Sequence, residues 1–255
     1  MRHDVNLSAP DFTLPRVAPV VSSAAAPAVL LVWHDIVPTA RKQVWFDTTA
    51  REFDAQLNRL ARAGARPVSL DALYAILSGS PGAAVLPPGA IVLCFDDNTR
   101  GIFDFAYPRL LRRGWPFVVS AHTAFVGVRT GKDHNSWKQL RQMEHGGAAR
   151  VVSQTHTHPP DLRTLSNAVL AREMTVSKAL MAARLGRPTR FVTYPSGKWD
   201  RRVARAAYAA GYYLGLTEDH GTAQTSPHLL GLHRYSTHRR FDEALAVIAR
   251  NFSRG

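Results

Sequence analysis

The chain of 255 residues holds a single cysteine, Cys94. It cannot form an internal disulfide, so cysteine neither staples the fold nor decides the compartment. Cys94 sits inside an apolar run, where a buried inert thiol is expected rather than a nucleophile. Acidic residues are also scarce. There are 19 Asp and Glu against 32 Lys and Arg, a formal net charge of +13. A basic surface attracts anionic partners. Yet the basic residues are dispersed, and the densest clusters are pairs such as Arg112-Arg113, Arg201-Arg202 and Arg239-Arg240. With no basic tract or nucleic-acid motif, the charge modifies surface affinity and does not indicate nucleic-acid binding. Long apolar runs are missing too. Residues 24–33 contain Pro27 and stop at His34-Asp35, too short and too interrupted for a membrane span. Asp4 and Asp11 stand where a basic leader should be, and Pro15 and Pro19 break the next apolar patch. Only residues 21–26 have the small side chains of a cleavage region, so no clear signal peptide is read. Residues 1–27 are expected to form a loosely ordered arm and 28–255 a single domain. Cytoplasmic and cell-envelope placement both stay open.

What the chain does have is alternation. Hydrophobic residues make up 45%, ordinary for a globular protein, and the length suits one large α/β domain. Over 48–63, Phe53, Leu57 and Leu60 recur at helical spacing behind Thr48 or Thr49 as N-cap. Strands are expected at 29–33, 67–70, 91–95, 117–121, 150–153, 191–194, 212–216 and 229–235. Helices are expected at 71–77, 102–112, 136–145, 166–185, 201–210 and 242–251, with a Gly- and Pro-rich loop at 78–89. Seven or eight strand–helix units fit a closed or nearly closed β/α barrel, whose function sits at the C-terminal strand ends. His34-Asp35, Asp96-Asp97, Gln154 to His158 and Ser196-Gly197 all fall at such ends.

The most informative stretch is 91–98, Ile-Val-Leu-Cys-Phe-Asp-Asp-Asn. Strand-forming residues run into two adjacent carboxylates, Asp96 and Asp97. Like charges repel, so such a pair at a buried strand end calls for a cation or another partner. Alone it also reads as an exposed turn. The second segment, Ser153-Gln154-Thr155-His156-Thr157-His158-Pro159, favours a site. A hydrolytic metal centre needs a few fixed ligands, an open position for water and a nearby carboxylate base. Asp96, Asp97 and His158 supply those residue types.

These residues carry a family resemblance. Phe95-Asp96-Asp97 resembles the first motif of the NodB-type polysaccharide deacetylases (carbohydrate esterase family 4), and residues 153–159 resemble the second, His-Ser/Thr-x-x-His-Pro. Tyr194-Pro195-Ser196-Gly197 is similar to the third, and Leu31-Val32-Trp33-His34-Asp35 to the opening Tyr-His strand. Together they span roughly 29–235 in the family's order. The resemblance implies a distorted (β/α)7 barrel, the NodB homology domain, that hydrolyses acetyl groups on a glycan, in the first place a polymer of N-acetylglucosamine. It implies Asp96 as catalytic base, Asp97 and His158 as ligands of a divalent metal, usually zinc with cobalt or nickel also seen, and Gln154 in the place of a third. His34, Tyr194, Pro195 and Ser196 would meet the substrate. Leu232-His233 echoes the late motif that supplies the general acid.

The chain also departs from the pattern. The family has histidine where Gln154 stands, and a glutamine oxygen is a poorer zinc ligand than imidazole. His156 is a substitute ligand if the segment is extended, because alternate residues then share a face; in a helical turn only Gln154 and His158 do. Thr193 stands where an arginine usually orients the base, and Asn98 replaces a glycine, a mild change because Asn tolerates a left-handed backbone. Two further readings follow: a glycan-binding relative without catalysis, and an amidohydrolase of a small molecule.

Overall fold

The computed structural model describes residues 13–16, 27–41 and 44–253. Most of the expected N-terminal arm, and with it the leader-like residues 21–26, lies outside them. The described part of the arm is docked: Leu14 is buried with Leu170, Tyr194 and Leu230, and the Pro15 carbonyl accepts the Leu229 N–H.

The chain opens with β1 (Val29–Trp33), β2 (Ile36–Val37), β3 (Thr48–Thr49) and α1 (Ala50–Arg62). Thr49 and Glu52 close a capping box at the start of α1. β4 (Arg66–Pro67), α2 (Leu70–Leu77) and β5 (Ala90–Phe95) follow. The segment expected as one helix over 102–112 divides into a π-helical turn, Ile102–Ala106, and α3 (Tyr107–Arg113). Pro108 has no N–H to donate, and the Tyr107 N–H bonds back to Ile102 instead. Next come β6 (Phe117–Ala121), α4 (Trp137–His145), β7 (Ala149–Ser153), α5 (Asn167–Leu185), β8 (Phe191–Thr193), α6 (Arg201–Ala209) and β9 (Leu214–Leu216). The strand expected over 229–235 is a 3₁₀ turn, Leu229–Gly231, followed by the short β10 (Tyr235–Ser236), because the Gly231 N–H is taken by the His228 carbonyl. α7 (Thr237–Phe252) ends the described chain.

All strands of the main sheet are parallel, in the order β10-β1-β5-β6-β7-β8-β9, with β4 beside the start of β5. Leu232 makes a parallel bridge to Leu216, and three residues later β10 has reached β1. The segment 232–236 therefore spans the gap between the sheet's two edges and draws it into the expected distorted seven-stranded barrel.

Strand side chains alternate between two cores. Val29, Leu31, Trp33, Leu93, Phe95, Phe117 and Val119 face the helices. Leu30, Val32, Val92, Cys94, Val118, Val152, Phe191, Leu214, Leu216 and Leu232 meet one another instead. A set drawn from every side of the sheet can only be the barrel interior. Leu70, Leu73 and Leu77 of α2 join it and fill the end opposite the site. Among the described residues no helix is long and apolar enough to cross a membrane.

Cys94 is fully buried in this interior, and burial pushes its thiol pKa up to about 12. We expect no reaction with a thiol reagent at pH 8 while the protein is folded, and one thiol per chain in denaturant; a fast native reaction would contradict the interior placement.

Candidate functional site

The interior parity continues past the strand ends and there changes from apolar to polar. After Val32 comes His34; after Cys94, Asp96; after Val118, Ser120 and His122; after Val152, Gln154. After Phe191 comes Thr193; after Leu216, Glu218; and after Leu232, Arg234. A pocket of about 200 Å³ opens here, lined by His34, Trp45, Phe46, Asp97, Gln154, His158, Ser196, Glu218 and His238.

Asp96 is buried and held by three donors. The Arg234 guanidinium grips it with both ends, Nη1 to Oδ1 at 3.0 Å and Nη2 to Oδ2 at 2.7 Å. Ser120 Oγ donates to Oδ1 at 2.9 Å and is itself 2.7 Å from Thr193 Oγ1. Arg234 is completely buried, and its Nε donates to the Thr217 carbonyl. The arginine that pairs with Asp96 thus comes from the segment that closes the barrel, while Thr193 bears on Asp96 through Ser120.

Asp97 points the other way, into the pocket. Its Oδ1 is 3.5 Å from His158 Nε2. Burial by itself would raise the Asp97 pKa, but the His158 hydrogen bond and the His34, His158 and His122 rings outweigh it and hold the carboxyl well below the usual range. Burial would lower the His158 pKa; the hydrogen bond to Asp97 and the charges of Asp97 and Asp96 raise it instead. Gln154 lies between the two. Its Oε1 accepts the Asp97 N–H at 2.9 Å, and its Nε2 lies 2.9 Å from Asp97 Oδ1 and 3.3 Å from His158 Nε2.

The backbone is bent to make this possible. Among the described residues, five other than glycine have a left-handed φ: Asp97, Asn98, Thr155, His158 and Ser196. All five lie just after β5, β7 or β8, and such outliers concentrate where function over-determines the backbone. Asn98 therefore does what the family's glycine does, its side chain tied to Asn135. The turn at Thr155 breaks the alternation after β7. His156 swings out to Thr123, and Glu173 holds the His156 and Thr157 N–H groups, so only Gln154 and His158 face the site. Gly197 has φ +64, and a Cβ there would lie 2.5 Å from the Glu218 Cβ, so the turn after β8 can seat Glu218 only with glycine.

His34, Asp97, Gln154, His158 and Ser196 of the expected site line the pocket. Asp96 sits within 4.8 Å of the ligand atoms of His34 and Glu218. Tyr194 and Pro195 are buried, and the Tyr194 hydroxyl is spent on the Leu230 carbonyl. His233 is not among the lining residues; its Nδ1 is 3.1 Å from Thr225 Oγ1. Four contributors carry no motif: Arg234, Glu218, His122 and Trp45. The His122 ring is 5.2 Å from that of His158, its Nδ1 has no partner, and burial lowers its pKa to about 4. The repeated inward parity was the available signal for Glu218 and His122; Arg234 depends on the closure after the turn at Leu229–Gly231, and Trp45, on the loop between β2 and β3, had none.

The donor set does not complete the expected metal centre. Asp97 and His158 are spaced for a shared cation, but among the described residues no third His, Cys, Asp or Glu brings its ligand atom within 4.8 Å of both. Gln154 turns its NH₂ towards them. The trio that does meet that spacing is His34, Asp96 and Glu218, and its Asp96 is already neutralised by Arg234.

The sequence profile of the polysaccharide deacetylase family matches residues 84–215, just over half of the chain. YxkH of Bacillus subtilis (strain 168), provisionally named a polysaccharide deacetylase, is 28% identical over 145 residues, covering 56% of this chain and 50% of YxkH. The poly-beta-1,6-N-acetyl-D-glucosamine N-deacetylase of Escherichia coli (strain K12) is 24% identical over 139 residues, covering 50% of this chain and 20% of that protein. The chain thus spans half or less of the curated relatives it matches. Among solved structures, IcaB from Ammonifex degensii superposes with a TM-score of 0.76 at 23% identity, covering 88% of this chain and 97% of that one. The Streptococcus pyogenes deacetylase PplD in complex with acetate gives 0.70 at 24% identity, covering 83% and 91%. At these identities the superpositions establish the barrel.

Replacing Arg234 with Met would leave Asp96 buried without its cation. We expect a loss of about 3–5 kcal/mol in urea unfolding at pH 7, partly recovered when Asp96→Asn is added. Arg234→Lys should recover less than half, because a point charge cannot form the two-pronged contact.

Proposed function

The chain belongs to the polysaccharide deacetylase family, and from that premise we propose that it hydrolyses N-acetyl groups on a polymer of N-acetylglucosamine. The observation that carries this reading is the arrangement of Asp96, a buried carboxylate fixed by Arg234 and Ser120 within 4.8 Å of the ligand atoms of His34 and Glu218, which line the pocket. The substrate class is supported by the name of the E. coli relative. The pocket of about 200 Å³ is smaller than sites that enclose whole ligands, roughly 300–1,000 Å³. It suits one acetamido group with the sugar chain outside.

A carboxylate offers about four lone-pair directions, and three donors occupy three around Asp96. The remaining one is free to take the proton of a water molecule that attacks the acetyl carbonyl carbon. When the C–N bond breaks, the amine nitrogen needs a proton. His34 lines the pocket, its Nε2 3.8 Å from Glu218 Oε1, and is better placed to give that proton than His233. The products are acetate and a free amino sugar. No step is routed through a cation here, because Gln154 presents N–H groups to the Asp97–His158 pair. The same feature favours a second reading, a glycan-binding relative that retains the pocket without turnover.

Trp45 is 67% exposed at the pocket rim, edge-on to Phe46 and His238, with the Arg239 guanidinium 4.9 Å from its ring centroid. An exposed indole offers a flat face to the C–H face of a sugar ring. Acetate release from N-acetylglucosamine oligomers tests the first reading. Asp96→Asn should cut kcat by about 10²–10⁴. Trp45→Ala should raise KM by roughly tenfold, about 1.4 kcal/mol, with kcat little changed. Glycan binding without acetate release would select the second reading.

A further inference from the structure

We propose that Gln154 takes the place of the cation in this chain: its amide is bonded to Asp97 and set against His158, and the site as it stands keeps no divalent metal. The inference rests on reading Asp96, Asp97 and His158 as the hydrolytic site. The amide cannot face either way at equal cost. The Asp97 main-chain N–H can only donate, and it reaches the Gln154 oxygen at 2.9 Å. That contact fixes Oε1 at one end and the NH₂ at the other. One N–H then reaches Asp97 Oδ1 at 2.9 Å, and the amide nitrogen also lies 3.3 Å from His158 Nε2, whose own hydrogen bond goes to Asp97. Asp97 Oδ1 and His158 Nε2, 3.5 Å apart, thus face an NH₂ donor where a shared metal would need lone pairs.

Turning the amide over would set NH₂ against N–H and lose that hydrogen bond. It would still offer only a neutral carbonyl oxygen, a ligand suited to magnesium or calcium rather than zinc. Among the described residues no other side chain rescues the set. His156 is tied to Thr123, and His122 does not come within ligand spacing of both Asp97 and His158. A histidine at 154 would reverse the chemistry, placing an imidazole lone pair where two hydrogens now lie.

The test is metal content. Purified full chain is incubated with excess zinc, and separately with cobalt, then desalted and assayed for metal per chain. The wild type should retain no stoichiometric metal, and Gln154→His should retain one equivalent that is lost when Asp97→Ala is added. Retention of one zinc per wild-type chain, removed by Asp97→Ala alone, would overturn the proposal. The wild-type measurement decides by itself, so a variant that fails to fold leaves no gap. Acetate release is then measured with and without a chelator. Release that resists chelation supports the proposal. Release abolished by chelation and restored by zinc overturns it while leaving the deacetylase reading in place. Absence of both metal and release leaves the proposal standing and removes the deacetylase reading instead.

Discussion

The buried contact between Asp96 and Arg234 is the interaction on which the rest of the structure depends. The two residues lie 138 positions apart. Asp96 directly follows β5, an inner strand of the sheet, and Arg234 belongs to the stretch that bridges from β9 to β10. Placing both charges out of water is costly, and one charge left alone costs more. The barrel is therefore held in the one closure that brings the guanidinium to the carboxylate. A third donor on Arg234 reaches the Thr217 carbonyl, so the same side chain ties β9 into that closure. Barrel closure and the orientation of the Asp96 carboxylate meet in this one contact.

Around that contact the strand ends follow a simple rule. Each strand sends alternate side chains inward, apolar through the barrel and polar at its mouth. His34, Asp96, Gln154, Thr193, Glu218 and Arg234 are each the next inward residue after a buried apolar one. Where a further residue must reach the pocket out of turn, the backbone departs from the strand. Asp97 at φ 66 and His158 at φ 56 do this after β5 and β7. The strained positions and the pocket-facing polar groups therefore occur together for a geometric reason: alternation delivers only one inward group for every two residues.

That rule also explains what the sequence made legible. The apolar runs and capping residues located most strands and helices, because local chemistry sets them: Thr49 with Glu52, and Gly114 and Gly186 at left-handed helix ends. The motif residues Asp96, Asp97, Gln154 and His158 were legible as a group. Arg234 was not, because its place depends on the course of residues 229–235, which read as a continuous strand and folded as a turn plus a bridge. With Thr193 in the arginine's usual place, the partner of Asp96 had to come from elsewhere, and only tertiary closure reveals where. Tyr194 shows the converse: a motif residue whose hydroxyl satisfies the Leu230 carbonyl and whose ring packs in the core.

Two adjacent carboxylates at a strand end pose an electrostatic problem that a chain can solve with a metal or with its own groups. This chain gives Asp96 and Asp97 separate answers. Asp96 faces inward and receives a guanidinium and a hydroxyl; Asp97 turns outward and receives an imidazole and an amide N–H. Different surroundings make different roles out of the same side chain, one carboxylate dry and oriented, the other at the pocket wall. With both charges compensated by protein groups, repulsion between the neighbours no longer calls for a cation. Whether one binds then turns on the lone pairs available near Asp97, and Gln154 supplies hydrogens there.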